Sequence, residues 1–591
     1  MATYRLTCKS IAVVLFGLLA GRVGAAVNII PLPNSITLGA GTLAFDAAAV
    51  VPIYRDGPSD STLPWVEKLF KNAKLATSRV QTAAAAKVVI NMTPDAALGA
   101  EGYKLSITAT QIVITAPTLT GQFYAVQTLR QVFPVSIEDS LAAKAAIALP
   151  MLEITDKPRF EYRGCMIDPV RHFLPLPYLY EHIDRMALYK LNRLHLLLSN
   201  DQGYRLESLV FPLLHTKGST TQVGGATPPA GTRWYYTQDE MRALVKYAAM
   251  RKIKIIPEVD MPGHCAAMVA CYPQLGVVNP LVSDDHSNPV FTNGIRSNED
   301  VQISALFTGL SDPNRPYVMT FIGKLWREIA TIFPSDQYQM GGDEWAFNQT
   351  DGNVYATFAK EVQDTLAKIG KKTIAWDEVK SHNGLRPGNL SQDWHQSNAG
   401  NTGDIMSNCD VFYFDHHNES NDGADVLTWC GDQHTLSTVY SAPVSNSLKG
   451  VEGILFTERV KVYPDHWDRQ LWPRLTGVAE VGWVPVNNGL VGFMTRMGSH
   501  GARFSTMGIK YFSTHYANLT WQTAPLNPAM TNLYSGFVPT IIPDGVGIYA
   551  GKIQSSPSTV EKMGAKFNSL GQKIRLSPSG YPESVRTFKI P

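Results

Sequence analysis

Between residues 161 and 458, short apolar segments alternate with amphipathic helical ones, and nearly every apolar segment ends in Asp, Glu, His or Trp. Alternating strand and helix signals argue for parallel β/α units. Eight strands are predicted: Arg163–Asp168, Arg193–Ser199, Ile253–Asp260, Tyr338–Glu344, Lys372–Glu378, Leu390–His395, Asp410–Asp415 and Gly453–Glu458. The clearest predicted helices between them are Tyr178–Tyr189, Gln238–Met250, Tyr317–Phe333 and Val354–Ile369. Eight such units in about 350 residues predict a (β/α)8, or TIM, barrel. One acidic strand end taken alone reads best as a helix N-cap. Eight polar ends together read as the C-terminal barrel face, where barrel enzymes build their sites.

The barrel is expected over residues 158–515. Residues 26–157 are predicted to form a small α+β domain in front of it. Lys87–Asn91, Tyr103–Thr108 and Gln111–Thr115 are rich in β-branched residues, the last two are placed as a hairpin, and Gly121–Phe133 has helical spacing. Ile154–Pro158 is read as a turn-rich exit. Residues 204–236 and 273–316 are long polar insertions, a length usually reserved for function. Residues 516–591 are read as an appendage, with a helix over Thr559–Leu570 and edge strands over Lys573–Ser577 and Val585–Ile590.

Met1–Ala25 has the pattern of a secretory signal. Arg5 and Lys9 precede an apolar stretch, and Val23-Gly-Ala25 supplies small residues for cleavage. The apolar stretch is too short to span a bilayer of roughly 30 Å, so export rather than membrane insertion is expected. Loss of Arg5, Lys9 and Arg22 leaves 49 basic residues against 50 acidic ones. A chain without basic excess does not grip phosphate backbones, which argues against nucleic acid as a partner. Five cysteines remain after Cys8 leaves. Either Cys265 with Cys271 or Cys409 with Cys430 can bridge, and Cys165 is read as a core residue. Sequons occur at Asn91, Asn348, Asn389, Asn418 and Asn518.

The sharpest local motif is Gly341-Gly-Asp-Glu344. Two glycines suit a tight turn or a close approach. Neighbouring side chains on an extended strand point to opposite faces, so Asp343 and Glu344 reach one site only where the strand end is irregular. Trp376, Trp394, Tyr413 and Phe456 recur near the ends of four successive predicted strands. Aromatic walls with few charges suit a sugar ring or an acetyl group better than a phosphate.

From Glu101 to Phe512 the chain resembles glycoside hydrolase family 20, the β-N-acetylhexosaminidases. The resemblance rests on Arg163-Gly-Cys-Met-Ile-Asp-Pro-Val-Arg-His172, Lys190-Leu-Asn-Arg-Leu-His195 and Asn200-Asp-Gln-Gly-Tyr-Arg-Leu-Glu207. Pro257-Glu-Val-Asp-Met-Pro-Gly-His264, Gly341-Gly-Asp-Glu344, Ala375-Trp-Asp-Glu378 and Ala479-Glu-Val-Gly-Trp483 extend it.

The resemblance implies an exo-acting enzyme that removes terminal β-linked GlcNAc or GalNAc with retention of configuration. It is expected to work on an oligosaccharide or glycoconjugate through an oxazolinium intermediate, without a metal or organic cofactor. Glu344 is implied as the general acid/base, Asp343 as the partner of the substrate acetamido group, and Tyr413 as a donor to the acetamido oxygen. Trp376 and Trp394 would wall the acetamido pocket. Arg171, Asp415, Phe456 and Glu458 would meet the sugar, and Asp201 and His264 would support Glu344. The chain departs from the family at Gln339, Leu197 and Asn200, and at Phe456, where a Trp usually lines the sugar floor.

Three alternatives stay open: an inactive glycan-binding relative, a disaccharide-releasing relative, and a two-carboxylate glycosidase with Asp377 or Asp415 as nucleophile. Oligomeric state is left open, a homodimer included.

Overall fold

The computed structural model describes residues 27–513 with interruptions at 57–61, 140, 279–290, 293–294, 297–303, 307–308, 310, 345–351, 397–402, 420–422, 432, 462–463 and 486–488. It also describes 519–522, 540–541 and 548–549. The predicted signal, most of the insertion after the third barrel strand, the helix and strands expected after residue 558, and the sequons at Asn348 and Asn518 lie outside these residues.

The N-terminal region is a seven-stranded mixed sheet. Its strands are β1 (Ser35–Phe45), β2 (Val50–Arg55), β3 (Ala76–Arg79), β4 (Val88–Met92), β5 (Tyr103–Ile107), β6 (Ile112–Ala116) and β7 (Ile147–Asp156), in the order β1-β7-β5-β6-β4-β2-β3. The predicted hairpin is present as the antiparallel β5/β6 pair. Helices α1 (Thr62–Asn72) and α2 (Leu119–Val132) pack together, and α2 lies on β5 and β6. Thr118 caps α2 by accepting the amides of Thr120 and Gly121. Ile154–Asp156 is not a turn but the end of β7, paired with both β1 and β5.

Eight parallel strands then close into a barrel. They are Tyr162–Ile167, Arg193–Leu197, Lys254–Glu258, Gln337–Gln339, Lys372–Trp376, Leu390–Asp393, Ile405–Met406 and Gly450–Leu455. Seven match predicted strands; the seventh in chain order does not. Asp410–Asp415 has strand-like apolar content, yet Cys409–Phe412 forms one helical turn whose Val411 and Phe412 amides bond the Asn408 carbonyl. Barrel strand seven is the two-residue Ile405–Met406, too short to leave a readable period. Tyr413 follows the turn and bridges to Ile454 beside strand eight.

A buried polar cluster locks sheet to barrel. Asp156 at the end of β7 accepts Lys190 Nζ at 3.0 Å and Trp483 Nε1 at 2.8 Å. Arg163, fully buried in barrel strand one, donates to the Lys190 carbonyl at 2.9 Å and pairs with Glu101 at 2.8 Å. Removing one partner of such a buried pair costs about 3–5 kcal/mol, because the other charge is stranded.

The insertion over 204–236 is ordered around Arg205, whose guanidinium donates to the Val170 and Thr221 carbonyls at 2.5 and 2.7 Å. The Val223 amide bonds the Arg171 carbonyl at 2.9 Å, so this loop backs the chain after strand one. Of the candidate disulfides, Cys409 pairs with Cys430, while Cys165, Cys265 and Cys271 are buried thiols that form no disulfide among the described residues. The side chain of Asn418 is buried and donates to Gln470, which leaves that sequon inaccessible. No helix among the described residues is long and apolar enough to cross a membrane.

Candidate active site

Every predicted site residue sits at the C-terminal end of the barrel. Arg171 follows strand one, Asp201 strand two, His264 strand three, and Asp343 and Glu344 strand four. Trp376 ends strand five, Trp394 follows strand six, Tyr413 and Asp415 follow strand seven, and Phe456 and Glu458 follow strand eight.

The irregular strand end required of the two adjacent acids is present. Strand four stops at Gln339, and Gly341 and Gly342 adopt φ of 73° and 102°. A Cβ on Gly341 would lie 1.8 Å from Asp260 Oδ1, so no larger residue fits there. Glu344 itself takes φ 58°, a conformation that costs an L-residue roughly 1–2 kcal/mol. The chain therefore turns both carboxylates toward His264. Its Nε2 is 3.0 Å from Glu344 Oε2 and 3.8 Å from Asp343 Oδ2, and its Nδ1 is 3.1 Å from Asp201 Oδ2. Burial opposes a charge on His264, but Asp201, Glu344 and Asp343 outweigh it and push its pKa well up.

Asp343 is backed by Asp260, a strand-end acid to which the sequence reading gave no role. Asp260 Oδ1 accepts the Gly342 amide at 3.1 Å. Burial, with the neighbouring Asp343 charge, pushes Asp260 far above the usual carboxylate range. Burial, and the charges of Glu344 and Glu258, raise Asp343 to about 6 against the opposing pull of His264. Asp260 thus holds a proton beside Asp343.

Glu378 supports the other side. It receives Trp394 Nε1 at 3.0 and 2.9 Å on its two oxygens and the Glu344 amide at 3.2 Å. Trp376 Nε1 donates to Glu258 at 3.1 Å. His195 lies between Glu258 and Glu452, 2.8 Å from each, and the two carboxylates overcome burial to raise it to about 10. A charged network inside the barrel therefore anchors one indole from below.

Trp376, Trp394, Tyr413 and Phe456 share one apolar cluster with Leu197 and the Cys409–Cys430 bridge. Tyr413 meets Phe456 edge-on at 5.5 Å. Trp429 belongs to the same wall and was missed. It is 54% exposed yet lies edge-on to Trp394 at 5.9 Å and to Tyr413 at 6.0 Å. Its one signal in the sequence is its place beside Cys430. Burial, with Asp343 and Asp415 nearby, holds the Tyr413 hydroxyl protonated.

On the opposite side, Arg171 Nε is 3.0 Å from Glu458 and Nη1 is 3.2 Å from Asp168. The guanidinium lies 5.0 Å above the Phe456 ring. Asp415 is 1% exposed, and neither of its carboxylate oxygens accepts a hydrogen bond from the described residues. A buried carboxylate in that condition calls for an outside donor. Of the remaining departures, Gln339 bonds Gln392 at 3.2 Å and Asn200 accepts the Asp201 amide at 2.8 Å. Both are satisfied within the site's supporting layer.

Among the described residues, two groups have atoms close enough for a cation, Asp260/His264/Asp343 and Asp377/Glu378/His395. In each, the histidine is already hydrogen-bonded to carboxylate. A cleft of 1220 Å³ opens at the other end of the barrel, lined by Leu98, Arg193, Lys252 and Asp336. Two of its lining acids are already paired, Asp336 with Lys254 at 2.6 Å and Glu101 with Arg163 at 2.8 Å.

Residues 160–486 match the model of the glycosyl hydrolase family 20 catalytic domain, and residues 26–157 match domain 2 of that family. The chain is 29% identical over 82% of its length to a β-hexosaminidase of Porphyromonas gingivalis, and spans 64% of that relative's length. It is 31% identical over 66% of its length to a β-hexosaminidase of Akkermansia muciniphila, of which it covers 80%. A mutant Streptomyces plicatus β-hexosaminidase in complex with product (GlcNAc) superposes with a TM-score of 0.72 at 28% identity, over 84% of this chain and 98% of that one. The GH20 β-N-acetylhexosaminidase of Streptomyces coelicolor A3(2) gives 0.71 at 27%, over 84% and 99%. With residues 160–486 matched to the catalytic domain and residues 26–157 to domain 2, the chain belongs to glycosyl hydrolase family 20.

Proposed function

We propose that the chain is an exported, exo-acting hydrolase that removes terminal non-reducing β-linked N-acetylhexosamine with retention, using the substrate's own acetamido oxygen as nucleophile. The observation that carries this reading is the convergence of Asp343 and Glu344 on His264 beside an aromatic pocket. Family 20 is an exception to the rule of two enzyme carboxylates.

Glu344, held by His264, donates a proton to the leaving glycosidic oxygen. The acetamido oxygen attacks the anomeric carbon as that bond breaks, and an oxazolinium forms. Trp376 and Trp394 hold the acetamido group in place, which removes much of the entropic barrier. Tyr413 donates a hydrogen bond to the acetamido oxygen. Asp343 sits where positive charge develops on the acetamido nitrogen and stabilises it. Glu344 then takes a proton from water, which opens the ring and returns the same configuration. Arg171, Asp415 and Glu458 hold sugar hydroxyls over Phe456. Asp377, the alternative nucleophile, is engaged by His395 at 2.7 Å. Export rests on Met1–Ala25.

Side-by-side hydrolysis of matched aryl β-glycosides of GlcNAc, GalNAc and glucose tests the reading. The acetamido sugars are expected to react and the glucoside to be nearly inert. A stoichiometric adduct on Asp377 or Asp415 after treatment with a 2-fluoro sugar, seen by intact-protein mass spectrometry, would overturn it.

A further inference from the structure

Trp394 and His395 are neighbours in the chain, and on an extended strand their side chains would point apart. Here they do not. Barrel strand six ends at Asp393, whose Oδ1 accepts the His395 amide at 3.2 Å and turns the backbone. The imidazole then stacks on the indole, with centroids 4.3 Å apart and planes 27° from parallel. Three bonds from the next segment pin this turn: Ser407 N to Asp393 O at 2.8 Å, Cys409 N to Trp394 O at 2.8 Å, and Asn408 Nδ2 to His395 O at 2.6 Å.

The ring is fixed at its other edge as well. His395 Nδ1 donates to Asp377 Oδ2 at 2.7 Å, and the Asp377 side chain is 4% exposed. Asp377 and Glu378 are consecutive residues opening one short helix, Asp377–Ser381. One residue of this pair grips His395 and the other receives the Trp394 indole N–H. Indole and imidazole are thus held as one two-ring block, clamped at both edges by adjacent acids. The imidazole remains 26% exposed, so it is not merely core filling.

We infer that His395 is a positioning residue that sets the depth of the acyl pocket by holding Trp394 in place through the Asp377 hydrogen bond and the ring stack. The inference rests on the proposed role of Trp394 as a wall of the acetamido pocket. Without His395 the indole keeps its bond to Glu378 but loses its backing and can tilt away from the pocket. A displacement of about 1 Å at a positioning group can cost up to about 10²-fold in rate. A wider pocket should at the same time penalise longer acyl chains less.

The test compares N-acetyl, N-propionyl and N-butyryl glucosaminides of one activated phenol, with the purified full chain and its His395→Ala and His395→Gln variants. For His395→Ala, kcat/KM on the N-acetyl substrate should fall by about tenfold, within the range for lost positioning. The N-butyryl to N-acetyl ratio should rise at least about threefold, with the larger share in KM. His395→Gln keeps a donor for Asp377 and a flat amide against the indole, so it should restore most of the ratio. An unchanged ratio in both variants, with near-native Tm, would overturn the inference while leaving the proposed function intact. A wild-type chain that does not cleave the N-acetyl substrate at all would instead overturn the proposed function.

Discussion

His264 Nε2 stands 3.0 Å from Glu344 Oε2, and this contact ties the acid after barrel strand four to the loop after strand three. The other ring nitrogen is held by Asp201, itself fully buried and fixed by the Ala266 amide at 2.8 Å. The acid is thereby oriented by a relay that crosses three strand ends.

Glu344→Gln keeps the shape of that relay but cannot cycle a proton. Turnover of chitobiose should fall by at least about 10²-fold, the usual scale of general acid–base catalysis. An activated phenyl glycoside, which needs less protonation, should lose less in its first step. Steady-state rates on the two substrates check this; equal losses on both would remove Glu344 from the acid role.

Asp343 must be ionised to stabilise a developing cation, and it is raised to about 6. Its anionic form is lost as pH falls through that value, so kcat/KM should drop on the acid side with an apparent pKa near 6. Asp260 holds the proton beside it and keeps Asp343 from rising further. Asp260→Ala should therefore move the acid limb to higher pH, while Asp260→Asn, which retains a donor, should leave it nearly in place. A pH profile whose acid limb moves down in Asp260→Ala would contradict this arrangement.

Asp415 buries its carboxyl group with no protein donor on either oxygen among the described residues, and His416 Nδ1 lies 3.5 Å from Oδ1. Such a site favours binding at the expense of stability. Asp415→Asn should raise stability by roughly 1 kcal/mol. It should also raise KM by about tenfold or more, the scale of a lost charge-assisted hydrogen bond. Thermal melting and saturation kinetics on one preparation measure both. A fall in Tm would show that Asp415 serves the fold instead.

The Cys409–Cys430 bridge closes a 21-residue separation that carries Trp429. The double variant Cys409→Ser/Cys430→Ser should lose up to about 3 kcal/mol of constraint on that loop. KM should rise more than kcat falls, because Trp429 and Tyr413 sit at the two ends of the loop's wall. Near-native kinetics after substitution would mean that packing alone places Trp429.

Much of the architecture was legible in the chain itself. Parallel strands buried on both faces read as apolar runs, so seven of the eight barrel strands announced themselves, as did the β5/β6 hairpin. The polar strand ends told which face would hold a site, because a barrel brings every such end to one rim. Strand seven escaped because Ile405–Met406 is too short to show a period, while the apolar Val411-Phe-Tyr-Phe414 run mimicked a strand.

Tertiary structure alone decided which groups meet. Asp260 beside Asp343, Glu378 beneath Trp394, and Trp429 edge-on to Tyr413 are contacts between different strand ends. The choice of Cys409 with Cys430 over Cys265 with Cys271 is of the same kind. Local sequence specifies residue types and their period, but not distances between segments far apart in the chain. Proton sharing, ion pairing and pocket width depend on separations of a few ångströms, and only closure of the barrel sets these.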